Sequence, residues 1–282
     1  MNTRIALPIT LLVTSLILTA CSAVTGGATV ESPAGATDAA PALDTSLADV
    51  QKAGELVVGT EGTYRPFSYH VDGSGDLTGY DVEVARAVAE EMGVDIRFEE
   101  TQWDALFAGL EAGRFDAIAN QVSITTEREA SYTFSEPYTY STGVVVVAEG
   151  TSDITSFDDL AGKTAAQSLA SNWYTLAEQS GASIEAVEGW AQAAALVLQG
   201  RVDVTINDKL TFLDYQKQEG DTKLVIAAET DDFSRSAFAL ASGSDSLAQA
   251  VDDALAVLAQ NGTLATISQK YFGDDVSVAP VS

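Results

Sequence analysis

Residues 103–121 read WDALFAGLEAGRFDAIANQ, and residues 190–208 read WAQAAALVLQGRVDVTIND. Laid over each other at an offset of 87 residues (103 to 190), Trp103 falls on Trp190 and Gly113-Arg114 on Gly200-Arg201. Asp116 then falls on Asp203, Asn120 on Asn207, and Gln121 on Asp208. Each stretch reads as a helix, a Gly-Arg turn, a strand, and polar residues at the carboxyl end of that strand. A repeated helix–turn–strand unit implies two lobes built on one plan. In open parallel α/β sheets, ligands bind outside the carboxyl ends of the strands. Two such ends facing each other make a cleft, with Gln121 and Asp208 at its edges.

Outward from this repeat the pattern stays α/β. Leu56–Gly59 reads as a strand and Tyr80–Met92 as a helix closed by Gly93. Phe115–Ala119, Val144–Val147, Val202–Ile206 and Leu224–Ile226 read as further strands. Leu247, Val251, Leu255 and Leu258 mark one apolar face of a helix that Asn261-Gly262 ends. Strands alternating with helices predict mostly parallel sheets.

The amino terminus reads as an address. Arg4 supplies a positive start, and Ile5–Leu18 is an apolar run broken by Pro8, too short for an ordinary membrane span. Leu18-Thr19-Ala20-Cys21 resembles the lipobox of bacterial lipoproteins, which implies cleavage before Cys21 and lipidation of its thiol. Cys21 is the only cysteine among 282 residues, so an intrachain disulfide is excluded. Each buried CH₂ of an acyl chain contributes roughly 0.8 kcal/mol, so firm anchoring takes more than one chain, and the diacylglycerol implied by the lipobox meets that need. Residues 22–45, rich in Ala, Gly, Ser, Thr and Pro, read as a tether.

The formal net charge is −27. Such a surface repels phosphate backbones and excludes nucleic acid as a partner. A hydrophobic content of 46% is enough to bury a core.

A small ligand bearing both a carboxylate and an ammonium needs a grip for each, and the chain offers groups for both. Arg128 follows Val122–Glu127 beyond a strand end; a guanidinium grips a carboxylate with two parallel hydrogen bonds. Thr125 or Thr126 at a helix start would add free N–H groups. Alternatively Arg128 pairs with Glu127 or Glu129 on the surface. Asp208 either accepts from a ligand ammonium or caps a helix. Tyr64, Phe67 and Trp103 are candidate aromatic walls, or core residues. Ser168, Ser171 and Asn172 form a polar cluster that either meets a ligand or caps the helix beginning near Trp173. No catalytic signature is present: there is no Gly-x-Ser-x-Gly, no His-Glu-x-x-His and no phosphate loop. The sole histidine, His70, sits by the loop Asp72–Gly75. No cofactor and no metal site are expected.

Gly59-Thr60-Glu61-Gly62-Thr63-Tyr64-Arg65-Pro66-Phe67, followed by Leu77–Glu83, resembles the opening signature of the polar amino-acid-binding proteins of ABC importers. Ala112–Ala117, Ser123–Arg128, Phe134–Tyr138 and Lys270–Gly273 continue the resemblance in order. It implies a two-lobed periplasmic-binding-protein-like fold of type II, with a hinge of two crossing strands. By that reading residues 1–20 are a signal peptide and 21–46 the lipidated cysteine and tether. Residues 47–139 plus 235–275 form lobe one, 140–234 lobe two, and 276–282 a tail.

The resemblance also implies roles. Arg128 matches the carboxylate-binding arginine, Asp208 the ammonium-binding aspartate, Tyr64 and Trp103 the aromatic walls, and Ser123 and Ser171 hydrogen-bonding positions. Asn120-Gln121 stands where many members carry two serines. That departure, with Ala166–Asn172, Val187–Gly189 and Asn207–Lys209, is similar to the cystine-binding subgroup, in which the extra amides Asn120 and Gln121 would serve the second zwitterionic end. The implied role is a lipid-anchored, outward-facing binding component that hands an amino acid, cystine foremost, to an ABC permease and its ATPase. Another polar amino acid such as glutamine, a sensor's receptor, and an enzyme on the same fold of the cyclohexadienyl dehydratase type stay open.

Overall fold

The computed structural model describes residues 43–220 and 223–280. The signal segment, Cys21 and the tether up to residue 42 lie outside the described residues. The first run of elements is α1 (Ser46–Ala53), β1 (Glu55–Thr60), β2 (Thr63–Tyr64), β3 (Ser68–His70), β4 (Leu77–Thr78), α2 (Tyr80–Met92), β5 (Asp95–Glu100), α3 (Trp103–Glu111), β6 (Ala117–Ser123), α4 (Thr126–Glu129), β7 (Tyr132–Phe134) and β8 (Thr139–Ser141). The second run is β9 (Gly143–Ala148), β10 (Thr164–Gln167), α5 (Asn172–Gln179), β11 (Ser183–Ala186), α6 (Trp190–Leu198), β12 (Val204–Asp208), α7 (Lys209–Glu219) and β13 (Leu224–Glu229). The chain then returns through β14 (Ser234–Ala241), α8 (Asp245–Gln260) and α9 (Thr263–Phe272).

Two sheets organise two lobes. The first has the order β5-β1-β6-β14-β7, with β8 also on β14; the second has the order β11-β10-β12-β9-β13. Three strands in each run parallel, β5-β1-β6 and β11-β10-β12. The expectation of mostly parallel sheets is corrected here. β14 lies antiparallel to β6, β7 and β8, and β9 antiparallel to β12 and β13. The reason is connectivity. The chain passes between the lobes at Ser141–Gly143 and again between Glu229 and Ser234, and the strand that follows each crossing, β9 and then β14, enters its sheet against the parallel direction.

The repeat holds in detail. α3 and α6 have nine residues each, and each is followed by a glycine in the left-handed region, Gly113 (φ 66°) and Gly200 (φ 64°). Asp116 accepts from the Val57 N–H at 2.8 Å while its own N–H donates to the Val57 carbonyl; Asp203 does the same with Thr164, accepting at 2.7 Å. Each aspartate thus fastens its strand to the neighbouring parallel one. The strands begin two residues later than the apolar pattern suggests, because Phe115 and Val202 are buried core residues preceding the ladder.

Both sheets are covered on both faces. Val144 and Val146 pack towards α6, while Val145 and Val147 pack with Leu160, Ala177 and Ile206 on the other side, so an all-apolar run is what a strand buried on two faces requires. In the first lobe α2 and α8 cover one face through Val84, Val88, Val251 and Leu255, and Leu106, Leu110 and Phe115 cover the other. Burying each of these side chains stabilises the fold by roughly 1.5–3 kcal/mol. Gly79 opens α2 at φ 132°, where a Cβ would stand 2.1 Å from the Phe67 carbonyl oxygen. That close approach sets the helix start and buries Asp81 in its first turn.

At the ends of the described chain, Asp44 accepts from the Ser246 N–H, and the Val276 carbonyl accepts from Tyr140 N–H at 2.8 Å.

Candidate functional site

A cavity of about 470 Å³ lies between the two lobes. Lobe one contributes the β1–β2 turn with Glu61 and Tyr64, the start of α3 with Trp103, and the end of β6 with Asn120 and Gln121. Lobe two contributes Ser168, Ser171, Asn172 and Trp173 from the β10–α5 junction, Glu188 and Trp190 at the start of α6, and Asn207 from β12. The carboxyl ends of β1, β6, β10 and β12 therefore face one another across the space, as the repeat requires.

Direct polar contacts reach across the cleft between the lobes. The Tyr64 hydroxyl donates to Asn207 Oδ1 (2.8 Å) and accepts from Thr211 Oγ1 (2.9 Å). Arg65 pairs with Asp214 at 3.4 Å. Ala170 is held twice, its N–H donating to Asp104 Oδ1 (2.9 Å) and its carbonyl accepting from Arg128 Nη2 (3.0 Å).

The structure separates the sequence candidates into groups. Tyr64, Trp103, Asn120, Gln121, Ser168, Ser171 and Asn172 line the cavity together. Phe67 does not: it is fully buried in the first lobe's core, 5.1 Å from the Tyr64 ring and 6.0 Å from that of Phe272. Its phenyl group backs the Tyr64 wall. Ser123 accepts from Ser234 Oγ at 2.9 Å and lines a separate groove beside Trp173 and Phe233. Arg128 lies in a recess that shares Ser171 and Asn172 with the main cavity. Asp208 is buried behind Asn207, accepting from Ser141 Oγ (2.7 Å) and from the Leu210 N–H (2.8 Å) as the cap of α7.

The local chemistry explains these placements. Thr125 caps α4 and accepts from the Arg128 N–H, which turns the guanidinium inward. There Nη1 donates to the Ser123 carbonyl at 2.9 Å, and the guanidinium lies over Trp103 and Phe107 at 5.4 and 5.1 Å. No carboxylate of the described residues pairs with it. Burial lowers its pKa to about 10. Ser171 caps α5 by accepting from the Trp173 N–H, so capping and cavity lining coexist in one residue.

Asn120 is spent within the protein. Its Oδ1 accepts from Thr60 Oγ1 and from the Glu61 N–H, and its Nδ2 donates to Glu61 Oε2 at 2.6 Å. Gln121 adopts φ 51°, with its N–H and Nε2 both donating to Asp81, at 2.6 and 2.7 Å. Its Oε1, and the Nε1 of Trp103 and of Trp190, are buried without a hydrogen-bond partner among the described residues. Burial raises the pKa of Glu61 to about 7, of Asp81 to about 7 and of Asp208 to about 6.

Glu61, Glu188 and Trp190 line the cavity although none was among the candidate site residues read from the sequence. A signal existed for each. Glu61 lies inside the opening signature, Trp190 begins the second copy of the repeat, and Glu188 precedes it. Among the described residues no group of three His, Cys, Asp or Glu side chains is arranged to hold a metal.

The sequence profile of bacterial extracellular solute-binding proteins, family 3, matches residues 56–274, which takes in both lobes apart from α1 and the first residue of β1. The chain belongs to that family. The curated relatives it matches are solute-binding proteins of ABC transporters, not enzymes, and this chain is a solute-binding protein. It is 50% identical over 230 residues to the L-cystine-binding protein TcyA of Bacillus subtilis, covering 82% of this chain and 85% of that one. The L-cystine solute receptor of Neisseria gonorrhoeae, solved unliganded and open, is 44% identical, with a TM-score of 0.56 over 83% of this chain and 99% of that one. An ancestral arginine-binding protein bound to arginine is 30% identical, with a TM-score of 0.73 over 78% of this chain and 99% of that one. The two-lobed fold of the family-3 proteins is thus the fold of this chain. Among the described residues no helix is long and apolar enough to cross a membrane.

Proposed function

We propose that this family-3 protein is the lipid-anchored binding component of an ABC importer for amino acids, with L-cystine as its ligand. The observation that carries the reading is a pair of buried charges without counter-ions. Arg128 is 9% exposed and Asp208 is 4% exposed, and neither has an ion-pair partner among the described residues. An unpaired buried charge is costly; a zwitterion in the cleft would offset the cost of Arg128 where its recess meets the cavity, and that of Asp208, which lies behind Asn207, through its field. Arg128 uses two of its five N–H donors on carbonyls, leaving three for a carboxylate.

Tyr64 and Trp103 serve as walls, and Gln121, Ser168, Ser171 and Asn172 as hydrogen-bonding groups; Ser123 acts from behind by carrying the carbonyl that holds Arg128. Glu61 and Glu188 give the cavity an acidic wall, which favours a ligand with a second ammonium. Lobe one takes residues 47–139 and 235–275 and lobe two 140–234, the cuts falling within β8 and β14, the first-sheet strands beside the two crossings. Closure about the two crossings encloses the ligand. The better superposition on a ligand-bound relative at 30% identity than on an open one at 44% supports reading the bridged cleft as closed. Relatives named as L-cystine-binding support the ligand. Lipidation at Cys21 and the tether beyond it keep the protein at the outer face of the membrane, beside the permease and its ATPase.

The test is calorimetric titration of Arg128→Ala and Asp208→Asn with L-cystine. Losing one partner of a buried charge pair costs about 2–5 kcal/mol, so each variant binds roughly 30-fold to several-thousand-fold more weakly. Wild-type affinity in both variants, with the fold intact, would remove this pair from the site.

A further inference from the structure

Among the described residues, Ala170 of lobe two has both its N–H and its carbonyl held by side chains of lobe one. Asp104, in the first turn of α3, accepts from the N–H at 2.9 Å; Arg128, inside α4, donates to the carbonyl at 3.0 Å. Ala170 sits between Ser168 and Ser171, and both of these line the cavity. The Ser171 N–H in turn donates to the Ser168 carbonyl at 3.1 Å, so the segment is a tight turn. Holding Ala170 therefore fixes Ser168, Ser171 and Asn172 over the cavity. The second copy of the repeat has Ala191 at the place of Asp104, so only lobe one supplies this acceptor.

We propose that Asp104 is a positioning residue that, with Arg128, clasps Ala170 and sets how far the cleft closes over its ligand. Asp104 binds no part of the ligand. It holds the lobe-two wall in place, while Arg128 joins that wall to the ligand's carboxylate. The second half of this statement rests on the role of Arg128 proposed above; the clasp itself does not.

Asp104 also acts through space on Glu61, whose pKa its charge helps to raise. The variants separate the two effects. Asp104→Ala removes both acceptor and charge. Asp104→Asn removes the charge and keeps an Oδ1 that accepts from Ala170.

The experiment pairs small-angle scattering of the ligand-free protein with titrations of L-cystine, L-arginine and L-glutamine. For Asp104→Ala the clasp predicts a larger radius of gyration without ligand. It predicts weaker binding, by roughly 3- to 20-fold, with the same factor for each amino acid that binds. For Asp104→Asn it predicts values near wild type in both measurements. An unchanged radius and affinity in Asp104→Ala overturns the proposal. So does a change in preference among the three ligands, which would put Asp104 against the ligand. Equal defects in Asp104→Asn and Asp104→Ala assign the effect to charge and overturn it as well. If none of the three amino acids binds the wild type, the proposed function falls, and scattering alone still decides the clasp.

Discussion

Trp103 and Trp190 begin α3 and α6 at equivalent points of the internal repeat, and they line one cavity from opposite lobes, each with a buried indole N–H that has no hydrogen-bond partner among the described residues. Both nitrogens are closed off from the cavity, so a ligand meets the indole rings rather than their N–H groups. Loss of ring contact in Trp103→Phe and Trp190→Phe is expected to weaken L-cystine binding by roughly 2- to 10-fold each. Equilibrium titration checks the affinities, and the fluorescence change on binding should shrink in each variant.

Phe67 belongs to the core, and its replacement should read as a stability defect. Phe67→Ala is expected to cost about 3–5 kcal/mol. Urea denaturation followed by circular dichroism measures the loss. The fraction that stays folded should still bind L-cystine, because Tyr64 rather than Phe67 forms the wall.

The paired aspartates of the repeat differ in exposure. Asp116 accepts from Val57 in a half-buried setting, whereas Asp203 accepts from Thr164 at the surface, where water can replace it. Asp116→Ala is expected to destabilise by about 1–3 kcal/mol and Asp203→Ala by less. Denaturation of the two variants side by side tests the order.

The buried carboxyls make stability depend on pH in a definite direction. Glu61 and Asp81 titrate at about 7 and Asp208 at about 6 in the folded protein, raised in each case chiefly by burial. In an unfolded chain such groups titrate near 4. Between roughly pH 4 and 7 the folded state thus holds protons that the unfolded state has lost, and stability falls as pH rises. The ligand-free protein should melt at a higher temperature at pH 5 than at pH 8. Glu61→Gln should make that dependence shallower. A melting temperature that rises steadily from pH 5 to 8 in both proteins would contradict the burial of these groups.

The repeat was readable because its chemistry is local. A Gly-Arg turn needs a left-handed glycine, and an aspartate two residues past the arginine fastens the strand to its neighbour. Strand direction was not readable: Val144–Val147 has the same apolar pattern whether its neighbours run parallel or antiparallel, and only the crossing between lobes decides it. Candidate residues were legible by type and less so by task. Asn120 lines the cavity, yet its amide is committed to Glu61, a pairing between β6 and the β1–β2 turn that no sequence spacing reveals. Arg128 and Asp208 stood out as charges beside strand ends; that both are buried without counter-ions emerges only when the lobes are assembled.

The measurement closest to the central claim is calorimetric titration of the wild-type protein, unfolded and refolded to strip any carried ligand, with L-cystine and the common amino acids. The account predicts saturable one-to-one binding of L-cystine, tighter than that of every other amino acid. Absence of binding to any of them would contradict it, and tighter binding of another amino acid would overturn cystine as the ligand.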